Sequence, residues 1–294
     1  MQNANYLKSY LHLHLIVFIW GFTAILGDLI SVKEEAVVWY RMLLAGIFML
    51  LFILLTKKDW RLSPKSLIRL FLVGLLIALH WVFFFKAINV SNVSITLAVF
   101  STGAFFASIL EPIFFNRKML WYEVFFGIII VGALLMILQV EQTYILGMAY
   151  ALLSVFLGVI FTLFNGKLIQ KYDPSVITLY EFFAGAAFIS IYLLATQKFT
   201  PEFFNVSLND WLLIIVLASI CTAYAFTASV NVMKRLSPYT VMLTTNLEPV
   251  YGIALAFFIL GEKEKMSFGF YIGAIIILTT VILNGILKNR EKLK

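Results

Sequence analysis

The chain has 294 residues, of which 62% are hydrophobic and only 13% charged, with a net charge of +7. A soluble domain is about half apolar and about a quarter charged, so this composition excludes an ordinary soluble globule and a disordered chain. The long unbroken apolar stretches also argue against an outer-membrane barrel, whose strands alternate apolar and polar residues.

A membrane helix needs about 20 apolar residues. In chain order, apolar runs between polar breaks predict ten spans, at 10–30, 36–56, 67–87, 92–115, 119–138, 144–168, 175–196, 210–233, 238–260 and 266–287. The breaks are short and polar, as in Lys57-Lys58-Asp59-Trp60-Arg61, Asn116-Arg117-Lys118, Lys171-Tyr172-Asp173-Pro174 and Gly261-Glu262-Lys263-Glu264-Lys265. The first run, Leu11 to Ile30, is too long for a signal-peptide core and no small-residue cleavage site follows it, so it reads as a retained helix. The single cysteine, Cys221, cannot form an intramolecular disulfide.

Sixteen of the 22 Lys and Arg residues fall on one side of this arrangement, including Lys57, Lys58, Arg117, Lys118, Lys234, Arg235, Lys288, Arg290, Lys292 and Lys294. The other side holds Lys33, Arg41, Lys86, Lys198, Lys263 and Lys265. The positive-inside rule places the richer side, and with it both termini, in the cytoplasm of a multi-pass inner-membrane protein. The same rule accounts for the basic surplus, so no nucleic-acid partner is implied; the lipid bilayer is the expected surrounding.

The halves of the chain resemble each other. Leu26-Gly27-Asp28-Leu29-Ile30 aligns with Asn165-Gly166-Lys167-Leu168-Ile169, and Ala45-Gly46 with Ala184-Gly185. In a second frame Val90-Ser91 meets Leu236-Ser237, Gly127 meets Gly273, and Thr102-Gly103 meets Glu248-Pro249. The expected fold is an all-α integral membrane protein of ten transmembrane helices in two inverted five-helix repeats, residues 1–140 and 141–294. Five helices per half is odd, which inverts the second half, a common plan for secondary transporters.

Ionisable residues inside a span are costly and need a reason. Glu248 lies about midway through its span, and Pro249 beside it is expected to bend the helix and free the Thr245 carbonyl. Thr244, Thr245, Asn246, Glu248 and Tyr251 gather there. Two readings stand: a site for a substrate, cation or proton, or a protonated or paired carboxyl that holds the packing. His80 is either a proton carrier or a packed hydrogen-bonding residue. Trp81 either walls a cavity or faces lipid. In the fourth span Ser94, Ala98, Ser101, Phe105 and Ser108 share a face, with Thr102 beside it, and this stripe suits either cavity lining or tight packing. Tyr224, Thr227 and Asn231 share a face in the eighth span, with the same two readings. Trp20 lies midway through the first span, away from a tryptophan's preferred interface, and is expected to face a cavity. Asp28 and Arg41 lie near the outer ends of neighbouring helices and read as an ion pair, structural or gating. Glu111, Glu123 and Glu181 read as interfacial, with Arg117 and Lys118 as partners. Gly269 and Gly273 make a close-contact face, either within the fold or between the two chains of a homodimer.

The chain has no nucleotide-binding G-x-x-x-x-G-K-[ST] motif, no H-E-x-x-H metal motif, and no G-x-S-x-G elbow. Its histidines His12 and His14 point to different helix faces and make a poor metal site. No metal or cofactor is expected.

Several motifs, in order, resemble the EamA-type members of the drug/metabolite transporter superfamily. They are Trp20-Gly21, Tyr40-Arg41 with Ala45-Gly46, Lys86-Ala87-Ile88 before Ser91, Glu248-Pro249, Leu260-Gly261-Glu262, and Gly269 with Gly273. The resemblance runs over nearly the whole chain as two tandem repeats. It departs in the first half, where Asn116-Arg117-Lys118 replaces a usual Gly-Glu pair and Gly103 a common proline. It implies ten helices, a cavity between the halves and alternating access, with export of an amino acid or similar metabolite the best fit. The expected reading is a secondary transporter rather than an enzyme. Trp20, His80, Thr102, Tyr224, Asn246 and Glu248 are its expected substrate-binding residues, with proton or cation coupling through Glu248. The alternatives are a membrane enzyme acting on a lipid-linked group, with Glu111 and Glu123 near Arg117 as its only candidate cluster, and a non-transporting accessory subunit.

Overall fold

The computed structural model describes residues 2–291, and among them the chain is helical throughout, with no strands. Lys292 and Lys294 lie outside the described residues, and the side chains of Lys263, Lys288 and Arg290 are likewise outside the description.

The first three helices are α1 (Gln2–Leu29), α2 (Glu34–Thr56) and α3 (Pro64–Val90). Helix α2 stops where Lys57 turns left-handed and its N–H returns to the carbonyls of Ile53 and Leu54. Helix α3 starts with Pro64 behind Ser63, since proline suits a first turn whose N–H groups have no helical acceptor. The fourth predicted span is interrupted: α4 (Val93–Phe100) and α5 (Gly103–Phe115) are separated by Ser101 and Thr102. Then come α6 (Trp121–Val140) and, after a short 3₁₀ turn, α7 (Ile145–Leu168).

Helix α8 (Pro174–Ala195) begins at Asp173, whose carboxylate accepts from the Ser175 N–H at 2.9 Å. The short α9 (Pro201–Phe204) precedes α10 (Leu208–Ala218), a π-helical turn (Ser219–Tyr224) and α11 (Ala225–Val232), which together form the eighth predicted span. The ninth is again broken, into α12 (Pro238–Thr245) and α13 (Glu248–Leu260). Helix α14 (Phe268–Glu291) closes the chain.

Among the described residues, eight helices or contiguous helix pairs are long and apolar enough to cross a membrane, and Trp121–Ile137 and Phe268–Asn284 form shorter apolar stretches. Many large apolar side chains point outward, among them Leu55, Trp121, Phe258 and Phe268. In water that surface would be unstable; in lipid it is the solvated face.

Ser94, Ser101 and Ser108, on the small stripe of the fourth span, are all buried inside the protein, and their size permits close helix approach. Close approach is also the use of Gly269 and Gly273. A Cβ on Gly273 would lie 2.6 Å from Ile137, and one on Gly269 would lie 3.0 Å from Val140, so this face packs on α6 within the chain. At Gly21 and Gly252 the backbones of α1 and α13 nearly touch, which brings the first helix against the restart of the broken ninth span.

The two broken spans lie antiparallel, α4 against α13 and α5 against α12. Each has its N-terminus held by an acid from elsewhere in the chain. Glu264 accepts from the N–H groups of Val93 (3.1 Å) and Ser94 (2.8 Å) at the start of α4. Glu111 accepts from the Tyr239 N–H at 3.0 Å at the start of α12. A carboxylate here satisfies orphan donors and meets the positive end of the helix dipole.

Candidate functional site

Where α1, α2, α3, α4, α7, α11, α12 and α13 converge, they leave a cavity of about 90 Å³. One water needs about 10–15 Å³ by this measure, so there is room for several waters or a small metabolite. Trp20, Trp81, Phe84, Phe100, Phe161 and Phe226 supply aromatic walls, and Arg41, His80, Thr162, Asn165, Ser229, Asn246 and Glu248 supply polar groups.

Glu248 is the first residue of α13, 6% exposed, and faces this space. The bend expected at Pro249 is a full interruption instead. The Leu247 N–H turns back to the Thr244 carbonyl at 3.0 Å, and the helix restarts with Pro249 in its first turn. A first-turn proline loses no helical hydrogen bond, so the break relocates upstream of it. Asn246, in that break, is buried with its Nδ2 unpartnered.

Trp20 lines the cavity and donates from its indole N–H to the Cys221 carbonyl at 3.1 Å. His80 also lines it, between the rings of Phe84, Phe100 and Phe161. Its Nδ1 lies 2.8 Å from the Ser154 carbonyl, while the Ser154 hydroxyl donates to the His80 carbonyl at 2.6 Å. This reciprocal pair ties α3 to α7 at the cavity wall. Trp81 is a wall residue as well.

Arg41 is not at the outer mouth with Asp28. It is 2% exposed, lines the cavity, and among the described residues forms no ion pair. Its Nε donates to Thr222 Oγ1 at 2.6 Å, its guanidinium lies 3.9 Å over the Trp81 ring, and its Nη1 has no partner. Asp28 is half-buried near the end of α1. Two turns of helix from Glu34 are enough to carry Arg41 from the surface into the protein.

Thr102 and Tyr224 lie outside the lining. Thr102 is buried in the α4–α5 break, where its hydroxyl donates to the Val99 carbonyl at 2.8 Å. Tyr224 is 45% exposed and its hydroxyl meets His12 Nε2 at 2.9 Å. The spacing does not say which face turns inward: Tyr224 lies toward α1, where His12 meets it, and Phe226, Ser229, Val230 and Met233 face the cavity. Thr227 instead bonds Thr178 at 2.9 Å, and Asn231 is exposed.

Of the carboxylates expected at the interface, Glu111 and Glu123 both bind Arg117, at 2.7 and 3.0 Å. Glu181 is fully buried instead, receiving the Asn165 amide at 3.3 Å. Asn165 lines the cavity, and nothing in its sequence setting marked it beyond a match in the repeat.

Met233 is shared with a second, open cavity of about 730 Å³ lined by Arg117, Lys118, Lys234 and Arg235. At the opposite end, Glu34 takes Lys86 at 2.6 Å and Asn89 at 3.1 Å, and Glu35 takes Lys198 at 2.7 Å.

The comparisons with known proteins agree with this architecture. A solved crystal structure at 14% identity superposes with a TM-score of 0.72 over 96% of this chain and 98% of its own, which establishes a shared fold. A protein of Archaeoglobus fulgidus described as an uncharacterized transporter is 23% identical over 283 residues, 94% of this chain and 96% of that protein. Another uncharacterized transporter, from Clostridium kluyveri, is 25% identical over 140 residues, 48% of this chain and 44% of the relative's length. The model of the EamA-like transporter family matches twice in tandem, at residues 7–139 and 145–286, and the chain therefore belongs to that family of multi-pass membrane proteins.

Proposed function

We propose that the chain is a secondary transporter of the inner membrane, with ten spans in two inverted halves that expose one central cavity alternately to each side. The duplicated break supports the inverted repeat: an eight-residue helix, two residues of interruption and a thirteen-residue helix recur in each half, and the two broken spans cross antiparallel. The apolar stretches Trp121–Ile137 and Phe268–Asn284 supply the fifth and tenth spans, which pack on each other.

The observation that carries the reading is Glu248 at the restart of a broken helix, facing an aromatic cavity deep in the apolar body. Broken helices with an acid at the break suit a site that binds a solute or exchanges a proton. The basic end, placed in the cytoplasm by the positive-inside rule, holds the open vestibule that shares Met233 with the cavity, and the ion pairs of Glu34 and Glu35 join helices at the other end. This form is ready to load a small metabolite, an amino acid or similar solute, from the cytoplasm for export. The enzyme reading finds less support: Glu111 and Glu123 are engaged by Arg117 and, for Glu111, by the α12 N-terminus.

The test is flux into and out of liposomes holding the full chain, across a panel of labelled amino acids, amines and organic acids, with and without a proton gradient. Saturable, gradient-sensitive movement of one class supports the reading. Product formation without net flux would replace it with the enzyme reading.

A further inference from the structure

Two side chains in the cavity wall hold hydrogen-bond donors with nothing to bind. Arg41 is 2% exposed and Asn246 is 2% exposed; Arg41 Nη1 and Asn246 Nδ2 both lack a partner. A buried guanidinium without a carboxylate against it is an expensive arrangement. Arg41 is nonetheless fixed in place, by Thr222 on Nε and by the Trp81 ring beneath its plane. Thr222 can serve because the π-turn holds it there, its own hydroxyl donating five residues back to the Leu217 carbonyl at 2.6 Å. π-turns of this kind recur at functional sites. The fork that remains open matches a planar acid group, which guanidinium binds through two parallel bonds.

Resting on the transporter reading, we propose that Arg41 is the anion anchor of the cavity, and that the solute is an organic acid with a flat apolar body. The acid group takes Arg41, with the Asn246 amide as a second donor. The body lies among Trp20, Phe84, Phe161 and Phe226. Approach is from the vestibule, where Lys118, Lys234 and Arg235 raise the local concentration of anions. Glu248 and Arg41 line the same cavity. An acid bound at Arg41 therefore competes with Glu248 for the guanidinium's charge, and neutralising Glu248 favours it.

The test uses three probes of one shape: phenylacetate, phenylacetamide and phenethylamine, titrated onto the detergent-purified full chain. Phenylacetate is expected to bind roughly thirtyfold or more tightly than the amide, the scale of one desolvated charged contact. Arg41→Gln should erase that preference while amide binding persists, Arg41→Lys should keep part of it, and Glu248→Gln should keep or increase it. Equal binding of acid and amide, tighter binding of the amine, no binding of any of the three, or a preference that survives Arg41→Gln would each overturn the anchor. If Arg41→Gln does not fold, the wild-type series and Arg41→Lys still decide. Counterflow in liposomes separates the two claims. Acid binding without flux keeps the anchor and ends the transporter reading; amine flux without acid binding does the reverse.

Discussion

Helices α4 and α5 and helices α12 and α13 run eight residues, pause for two and continue for thirteen, with Asn92 and Ser237 capping the start of each by accepting an N–H three residues on. The residues at the two breaks differ in kind. In the first half they are Ser101 and Thr102, and the threonine hydroxyl is answered by its own helix, at Val99. In the second they are Asn246 and Leu247 followed by Glu248; Asn246 keeps an unanswered donor and Glu248 faces the cavity. The same backbone device therefore buries a self-satisfied hydroxyl in one half and turns polar groups toward the cavity in the other. A duplicated fold needs its polar groups on only one copy of the break to make an asymmetric site between them.

The largest effect should come from exchanging the chemistry while leaving the backbone alone. Glu248→Gln keeps size and shape but cannot take up or release a proton, and proton-gradient-driven flux in liposomes is expected to fall by about thirtyfold or more even where an acid still binds at Arg41. The matching change in the other break, Thr102→Val, should leave flux within about twofold, because a self-satisfied hydroxyl outside the cavity contributes at most about 1 kcal/mol. Equal losses in both variants would mean that the breaks act as a pair of hinges, and that Glu248 matters as packing.

Next in size are the acids that hold the two broken spans in place. Glu111 receives the Tyr239 N–H and pairs with Arg117, whose second carboxylate is Glu123. Glu111→Gln keeps an acceptor for the helix but leaves Arg117, about one-quarter exposed, with a single carboxylate partner, Glu123. A loss of about 2 kcal/mol is expected, below the full cost of a broken buried pair because Arg117 is partly exposed. Glu264→Gln should cost less, about 1 kcal/mol, since its role at Val93 and Ser94 is hydrogen bonding to backbone. Thermal unfolding of purified protein reads both, and the reverse order would make the Glu264 cap the stronger one.

These residues also explain what a sequence of this kind reveals. Helix starts were legible at Asp173-Pro174 and at Pro238, within a residue, because those residues act locally, whereas the apolar run set the third span's start three residues inside Pro64. Glu248, Asn246, Trp20 and His80 were legible as cavity residues because polarity or a tryptophan at mid-membrane depth is anomalous on its face. Arg41 was not, because a charge two turns from a helix end reads as surface; only tertiary packing places it over Trp81. Tyr224 was misplaced because a polar face of a membrane helix can answer a neighbouring helix as readily as a cavity, and its hydroxyl meets His12 of α1. The α4–α5 break left no proline behind it, and Gly103 alone is compatible with an unbroken helix.

The smallest effect concerns the second helix of each half. Helix α2 starts behind Lys33, which supplies no side-chain cap, whereas its counterpart α8 starts behind Asp173, which caps Ser175 and pairs with Lys58 at 2.9 Å. Partial burial pushes the Asp173 carboxyl upward, but the Ser175 hydroxyl and amide and the Lys58 ammonium outweigh it and hold it below its ordinary value. The folded protein therefore binds fewer protons than the unfolded chain between those two values. That contribution is complete above the unfolded value near pH 4, and it drains away as pH falls through the lower folded one. Asp173→Asn keeps a capping acceptor and loses the charge. Since both partners of the ion pair are about one-third exposed, the deficit at pH 7 should be only about 0.5–1 kcal/mol. It should shrink below about pH 4, where the wild-type carboxyl takes up its own proton. A deficit that stays constant from pH 7 down to pH 3 in thermal unfolding would assign the whole effect to hydrogen bonding at the cap. The two helix starts would then differ in geometry alone.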